Sequence, residues 1–293
     1  MTEVNTSNPL IVPYRTGSYL ISDEGPADNF RSAMSLADHP YRASGSHQLG
    51  IADFVRVLGQ GVVDPFRPSA LFLIDLREET HGFFDGAPVS WYADNDFANV
   101  GQTETWIVFD EEQRVAACER RKTKLFVIKD DATDDLGQER VRPVSYTEIR
   151  PTSTRTEQDV AGVLTEVFRP TEVKYVRIPV TDHCAPLPWA LTVLSNLEAC
   201  MGGNDWTHFH CHGGDGRTST FLALYDMLCW KRSGDPLPSL EEFAARQCEL
   251  FAYCLDPGGC DCGKETTGWK LSLAQRRWET LGVFLSDLVK RPF

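Results

Sequence analysis

Residues 206–220 read "WTHFHCHGGDGRTST" and combine three signals: an apolar run, a cysteine among glycines, and a polar stretch that opens a helix. "WTHFHC" is a strand and "RTSTFLALYDMLCWKR" a buried helix. Between them Gly213, Gly214 and Gly216 let the backbone turn its N–H groups inward. Such a ring of donors is an anion nest. The following helix adds the positive end of its dipole. Cys211-x5-Arg217 then places a thiol at the base of the nest and a guanidinium at its rim. Arg217 can grip two oxygens of a phosphate-sized anion, which a lysine cannot do. A thiol under converging donors favours the thiolate. Thr218 can donate to that sulfur. His210 is expected to pack as a structural histidine behind the loop. C-x5-R alone is common by chance; strand, glycines and helix around it make the reading specific.

A cysteine nucleophile at phosphorus needs a partner to protonate the leaving alkoxide and then deprotonate water. "RIPVTDHCAPLPW" supplies one. Asp182 stands just past a strand end in a proline-bearing loop, with His183 beside it as donor or cation. A lone aspartate there would be read as a turn residue; the Cys211 loop changes that reading. Cys184 is expected to be a buried loop cysteine.

The segments flanking the motif are α/β. Ala70–Leu76 is a buried strand, "VKYVRIPV" a strand, and "TEQDVAGVLTEVF" and "PLPWALTVLSNLEACM" helices. "SLEEFAARQCELFAY" and "GWKLSLAQRRWETLGVFLSDLVK" give a helical C-terminal third, with a capping box at Ser239 and Glu242. Residues 92–150 read differently. "ETWIVFD", "KLFVIK" and "RVRPVSYTEI" are short strand-like runs between charged turns. The expected organisation is a polar N-terminal arm over 1–18, an α/β core over 19–91 and 151–293, and a small β-rich insert over 92–150.

Charge and cysteine content exclude other classes. A net charge of −13 argues against nucleic acid and against an anionic membrane surface. No apolar run approaches the roughly 20 residues needed to cross a bilayer, and no signal peptide is legible at the N-terminus. Nine cysteines cannot all pair within the chain. Cys248, Cys254, Cys260 and Cys262 lie close together, but their spacing matches no common zinc pattern. They are read as a cysteine-rich loop. No metal and no cofactor is expected.

Six segments carry a family resemblance: "NFR" at Asn29–Arg31, "RASGSHQ" at Arg42–Gln48, "DLREETHGFFDGAPVSWY" at Asp75–Tyr92, "TDH" at Thr181–His183, "HCHGGDGRTST", and "GWK" at Gly268–Lys270. From about residue 27 the chain resembles the bacterial protein-tyrosine-phosphatase-like phytases, cysteine phosphatases of inositol polyphosphates. The resemblance implies a phosphatase α/β core carrying a small β domain. It implies Cys211 as nucleophile, Arg217 as phosphate clamp and Asp182 as general acid. His183, Arg31 and Lys270 would contact further phosphates of a small polyphosphorylated inositol, with Arg276 and Arg277 as further cations. Asp75, Arg77, Glu78 and His81 would be buried ion-pairing scaffold. Two positions depart from the pattern. Asp215 puts a carboxylate in the loop, facing away if the N–H groups face in. His212 could reach a substrate phosphate when protonated. A tyrosine or dual-specificity phosphatase would need an aromatic recognition stretch, and a phosphoinositide phosphatase lysines in the loop; neither is present. A pseudophosphatase adaptor would lack nucleophile or acid, and both are here.

Overall fold

In the computed structural model, which describes residues 18–23, 29–133, 139–260, 262 and 266–290, the decisive stretch is strand β11 (Trp206–Cys211), a tight loop, and helix α6 (Gly216–Ser233). The N-terminal arm lies outside the described residues except for Ser18.

Strand β11 is central in a five-stranded sheet. Its order is β10 (Glu172–Val180), β4 (Ala70–Arg77), β11, β3 (Ala43–His47), β2 (Arg31–Ser32). The first four strands run parallel; β2 closes the edge antiparallel. Parallel strands buried on both faces need apolar side chains on both. In β4 the alternation sorts them: Leu71 and Leu73 enter one core, Ile74 and Leu76 the other. The first core lies under α1 (Ile51–Leu58) and α4 (Glu157–Val167), with Phe54, Leu164 and Trp206 fully buried. A π turn, Gly59–Val63, carries α1 into the short α2 (Asp64–Phe66). The second core holds Phe209, Phe221 and Phe243 beneath α5 (Pro188–Cys200), α6 and α7 (Leu240–Leu250), and reaches α8 (Lys270–Lys290). Each such large apolar side chain contributes about 1.5–3 kcal/mol on burial. The box at Ser239 and Glu242 caps α7 as read from the sequence.

A second, antiparallel sheet has the order β1 (Tyr19–Ser22), β6 (Ala87–Tyr92), β5 (His81–Phe84), β9 (Thr154–Arg155). Apart from Tyr92 at the end of β6, its strands come from outside residues 92–150. Within that segment lie a ribbon of β7 (Thr123–Thr133) and β8 (Glu139–Ile149), and a helix, α3 (Glu104–Cys118). The helix corrects the strand reading of "ETWIVFD". Read to Cys118, the run places Ile107, Glu111 and Val115 four apart on one buried face. Thr103 caps its start by accepting from Trp106 N–H. Seven residues were too few to show that period. The division of the chain at 92 and 150 stands as a proposal. Among the described residues no helix is long and apolar enough to cross a membrane.

Candidate active site

Cys211 ends β11 as a buried thiol, and two donors converge on its sulfur: Gly214 N–H at 3.2 Å and Thr218 Oγ1 at 3.2 Å. Donors so placed stabilise negative charge on sulfur. The loop can make this turn because Gly214 has φ +77°, and a Cβ there would lie 2.4 Å from His47 N and 2.5 Å from Asn29 Nδ2. Only glycine fits. The outside of the loop is tied down as well. Asn29 Nδ2 donates to Gly213 O at 2.9 Å while Asn29 Oδ1 accepts from His47 N–H at 2.8 Å. His210 is fully buried against Phe54, and burial pushes its imidazole down to about 3. It is the packed structural histidine expected.

Arg217 stands in the first turn of α6, buried to 2 % exposure. Its two terminal nitrogens hold both oxygens of Glu79, at 2.7 and 3.0 Å, and one also donates to Val180 O at 3.2 Å. The fork read from sequence as a phosphate grip is thus held by a carboxylate. Its Nε is different: it faces Asp182 Oδ1 at 3.1 Å and is a buried donor with no hydrogen-bond partner. Asp182 lies just past β10 and also approaches His183 Nε2, at 3.2 Å. Burial raises the Asp182 carboxyl, but Arg217 and His183 outweigh it and hold the group below the usual range. The two groups assigned opposite ends of the reaction therefore meet in space.

The cations are partly gathered. His183 has φ 61°, the left-handed region that a non-glycine residue rarely adopts. Its ring meets Trp269 edge-on at 5.3 Å, and Lys270 Nζ lies 5.2 Å from the same indole. Burial, with Lys270, Arg217 and Arg277 nearby, pushes His183 below the usual histidine range. Arg277 is buried beside the loop: a Cβ on Gly216 would lie 2.9 Å from its Nη1, and its Nη2 donates to Tyr253 Oη at 2.9 Å. Arg31 is not a solvated surface charge. It is 4 % exposed, lies 4.5 Å over Phe251, and donates to Gly214 O at 2.6 Å and Ser219 Oγ at 3.0 Å. Burial lowers its guanidinium to about 10.

The two departures from the pattern resolve differently. Asp215 is exposed, and its carboxyl is raised by partial burial against the pull of Arg31. His212 turns to two carboxylates, Asp23 Oδ1 at 3.3 Å and Asp96 Oδ2 at 3.2 Å. These outweigh burial and raise its imidazole well above the usual range.

Of the expected scaffold, Arg77 is central. It donates to Glu79 at 2.7 Å, Asp23 at 2.9 Å and Ser90 at 2.6 Å, all buried. His81 pairs with Asp75 at 3.3 Å, and Glu78 accepts from Thr181 Oγ1 at 2.5 Å, next to Asp182 in the chain. Glu79, Asp23 and Asp96 went unread in the sequence. Glu79 sat in view inside "DLREETHG", but nothing local says which of two neighbouring glutamates turns to the arginine. Asp96, raised by burial and by Glu79, ends a short 3₁₀ turn, Asp94–Asp96, in which Asn95 and Asp96 both have positive φ. Asn95-Asp96 within "ADNDFA" was the available signal, since these residues tolerate that conformation.

This geometry can be compared with known proteins. A model of the PTP-like phytase family, described as "Inositol hexakisphosphate", matches residues 74–229, just over half of the chain, and takes in the Cys211 loop, Asp182 and Glu79. The chain belongs to the PTP-like phytase family. Among solved structures, this phytase-family chain superposes on a tandemly repeated PTP-like phytase from Mitsuokella multacida with TM-score 0.70, 24 % identity, and 95 % of this chain against 47 % of that one. A PTP-like myo-inositol phosphatase from the same organism, in complex with myo-inositol-(1,3,4,5)-tetrakisphosphate, gives TM-score 0.72 at 23 % identity, over 96 % and 48 %. A PTP-like phytase from Bdellovibrio bacteriovorus gives 0.68 at 25 % identity, over 94 % and 91 %. These likenesses establish the PTP-like α/β fold. A curated relative, effector protein hopD2 of Pseudomonas syringae pv. tomato, is 29 % identical over 211 residues, which are 70 % of this chain and 42 % of that protein. The chain thus spans less than half the length of that relative and of both Mitsuokella chains.

Proposed function

We propose that the protein hydrolyses phosphomonoesters of myo-inositol hexakisphosphate and lower inositol phosphates through a cysteinyl-phosphate intermediate, without metal. One observation carries this reading: Gly214 N–H and Thr218 Oγ1 converge on Cys211 Sγ, and Arg217, beside Thr218 in the first turn of α6, sets its Nε 3.1 Å from Asp182 Oδ1 with no hydrogen bond of its own.

The Cys211 sulfur attacks phosphorus in line with the departing inositol oxygen. The P–O bond breaks as the P–S bond forms, and Asp182 gives its proton to the leaving oxygen. Water then attacks phosphorus, Asp182 takes its proton, and the P–S bond breaks to return thiolate and release phosphate. Thr218 stabilises the sulfur as it leaves. Gly214 N–H stays on the Cys211 sulfur; the loop N–H groups of Gly213, Asp215 and Gly216, with Arg217 Nε, hold the equatorial oxygens. Glu79 keeps the far edge of the guanidinium fixed, so Arg217 is already oriented when the anion arrives. Before substrate binds, Arg217 stabilises the Asp182 carboxylate. A phosphate dianion beside Arg217 spends that positive charge and raises Asp182 toward the protonated state an acid requires.

His183 and Lys270 meet at Trp269 and serve the phosphates that do not react, with Arg277 behind them. Arg31 serves the loop itself, through Gly214 O. His212, held at its two ring nitrogens by Asp23 and Asp96, fixes the first residue of the loop.

The test is direct. Wild-type and Cys211→Ser proteins are incubated with inositol hexakisphosphate and, separately, phosphotyrosine peptides, without added metal. Released phosphate and inositol products are followed by chromatography. The expected result is stepwise inositol products from wild type and none from Cys211→Ser, which still binds substrate. Turnover of phosphotyrosine alone, or an active Cys211→Ser, sinks the proposal.

A further inference from the structure

The connection from α7 to α8 is long; among its described positions, 251–260, 262 and 266–269, there is no helix and no extended strand, and Leu255 is the one buried residue. So little apolar burial cannot hold a loop of this length in one shape. Yet it carries Phe251, stacked under Arg31, and Tyr253, bonded to Arg277, both against the catalytic loop. Something else fixes it. Four cysteines are the candidate: Cys248 near the end of α7, and Cys254, Cys260 and Cys262 in the loop.

Cys248 is bonded to Cys262 and Cys254 to Cys260. The two pairs also meet each other. The Cys260 sulfur lies 3.2 Å from that of Cys248 and 3.3 Å from that of Cys262. The sulfurs of Cys248, Cys260 and Cys262 all lie within 4.8 Å of one another, and that of Cys254 is joined to them through Cys260. Two separate crosslinks would restrain the loop equally well with their sulfurs apart; nothing in crosslinking requires the two pairs to meet. A tetrahedral metal ion does require it. The cluster opens on a cavity of about 390 Å³, also lined by the carboxylates of Glu241, Glu249 and Asp256, which favour a cation there.

The remaining cysteines bear on the redox state. Cys118, Cys184, Cys200, Cys211 and Cys229 are all free thiols, and Cys200 is exposed. A chain that keeps an exposed thiol and a working Cys211 reduced functions where thiols prevail. Under such conditions a close set of cysteines is a metal site more often than a disulfide framework. Four soft sulfur ligands select zinc among the abundant divalent ions.

We propose that Cys248, Cys254, Cys260 and Cys262 form a structural zinc site in the reduced protein, and that the paired form is its oxidised state. Two equivalents of a dithiol reductant deliver four electrons and four protons to the two disulfides. This gives four thiols and leaves each dithiol as its own disulfide. Zinc then binds the four sulfurs, releasing four protons, and its binding energy folds the loop. The ion stands outside the phosphoryl chemistry; it shapes the wall that positions Phe251 and Tyr253.

The test uses the full chain, reduced anaerobically with a phosphine, stripped of metal and titrated with cobalt(II). The expected result is the visible absorption of tetrahedral thiolate-bound cobalt, with sulfur-to-cobalt charge transfer in the near ultraviolet, saturating at one cobalt per chain and bleached by zinc. Cys260→Ser should lose the bands, and Cys200→Ser should keep them. Air-oxidised protein should show none. A reduced wild-type chain without the bands overturns the site, whatever the variants do. So do bands that survive the double change Cys248→Ser and Cys260→Ser. The readout involves no phosphate release, so it stands or falls apart from the proposed hydrolase activity.

Discussion

Glu79 bridges Arg217 and Arg77: it holds both terminal nitrogens of Arg217 at 2.7 and 3.0 Å and accepts from Arg77 Nε at 2.7 Å, with none of the three exposed beyond 2 %. The carboxylate is held far below its usual range, because the two guanidinium charges outweigh its burial. Removing one partner of a buried ion pair leaves the others uncompensated, at about 3–5 kcal/mol. Glu79→Gln should therefore lower unfolding stability by that order in urea titration, and lower kcat because Arg217 loses its fixed orientation. A variant as stable as wild type would show that the bridge carries no net stabilisation.

Asp182→Asn should cost ~10²–10⁴-fold in kcat on inositol hexakisphosphate, because both proton transfers go. Aryl phosphates, whose leaving groups need little protonation, should lose less. The pH profile gives a second check. Arg217 and His183 hold the free-enzyme carboxyl low, so its protonated fraction falls as pH rises. Activity in kcat/KM should decline on the alkaline side from an acidic optimum, and Asp182→Asn should flatten that decline. An unchanged profile in the variant would remove Asp182 as the acid.

Arg31 and Lys270 should separate loop support from substrate contact. Arg31 donates to Gly214 O, so Arg31→Ala should slow inositol hexakisphosphate and aryl phosphate alike. Lys270→Ala should raise KM for hexakisphosphate more than it lowers kcat. One charged hydrogen bond lost costs roughly 1.5–3 kcal/mol, or about ten- to a hundredfold in kcat/KM. Aryl phosphate turnover should change little, and added salt should mimic the loss in part. Equal effects of Lys270→Ala on both substrates would make Lys270 scaffold.

Glu157 predicts a pH-dependent stability. Burial, opposed by His81 and reinforced by Asp75, raises its carboxyl from 4.5 to about 8. The folded state thus binds a proton that the unfolded state has lost between those values. Stability from this group is full below pH 4.5 and declines as pH rises to about 8, by up to about 1.4 kcal/mol per pH unit. Glu157→Gln, which copies the protonated form, should match wild type near pH 5 and exceed it near pH 8. Thermal melts across that range check it; a constant difference would mean the group does not titrate there. Gln48, His81 and His210 face Glu157 and complete its surroundings.

How much of this was legible in the linear chain depended on the reach of each interaction. The strand–loop–helix around Cys211, the glycines, the box at Ser239 and Glu242, and the placement of Asp182 past a strand were local. Their spacing alone dictates the backbone, so the amino-acid order determined them. "ETWIVFD" misled because the helical period shows only over the full fifteen residues of α3. Which groups meet was decided by the tertiary structure. Glu79 and not Glu78 grips Arg217, across 138 residues; Arg31 braces the loop, across 183; Asp23 and Asp96 close on His212 from opposite sides. Four cysteines with no metal-like spacing brought their sulfurs together. The reason is physical: the chain fixes what each residue can donate, accept or carry, while a buried charge is tolerable only beside its partner. That partner is chosen by packing, which sequence spacing does not encode.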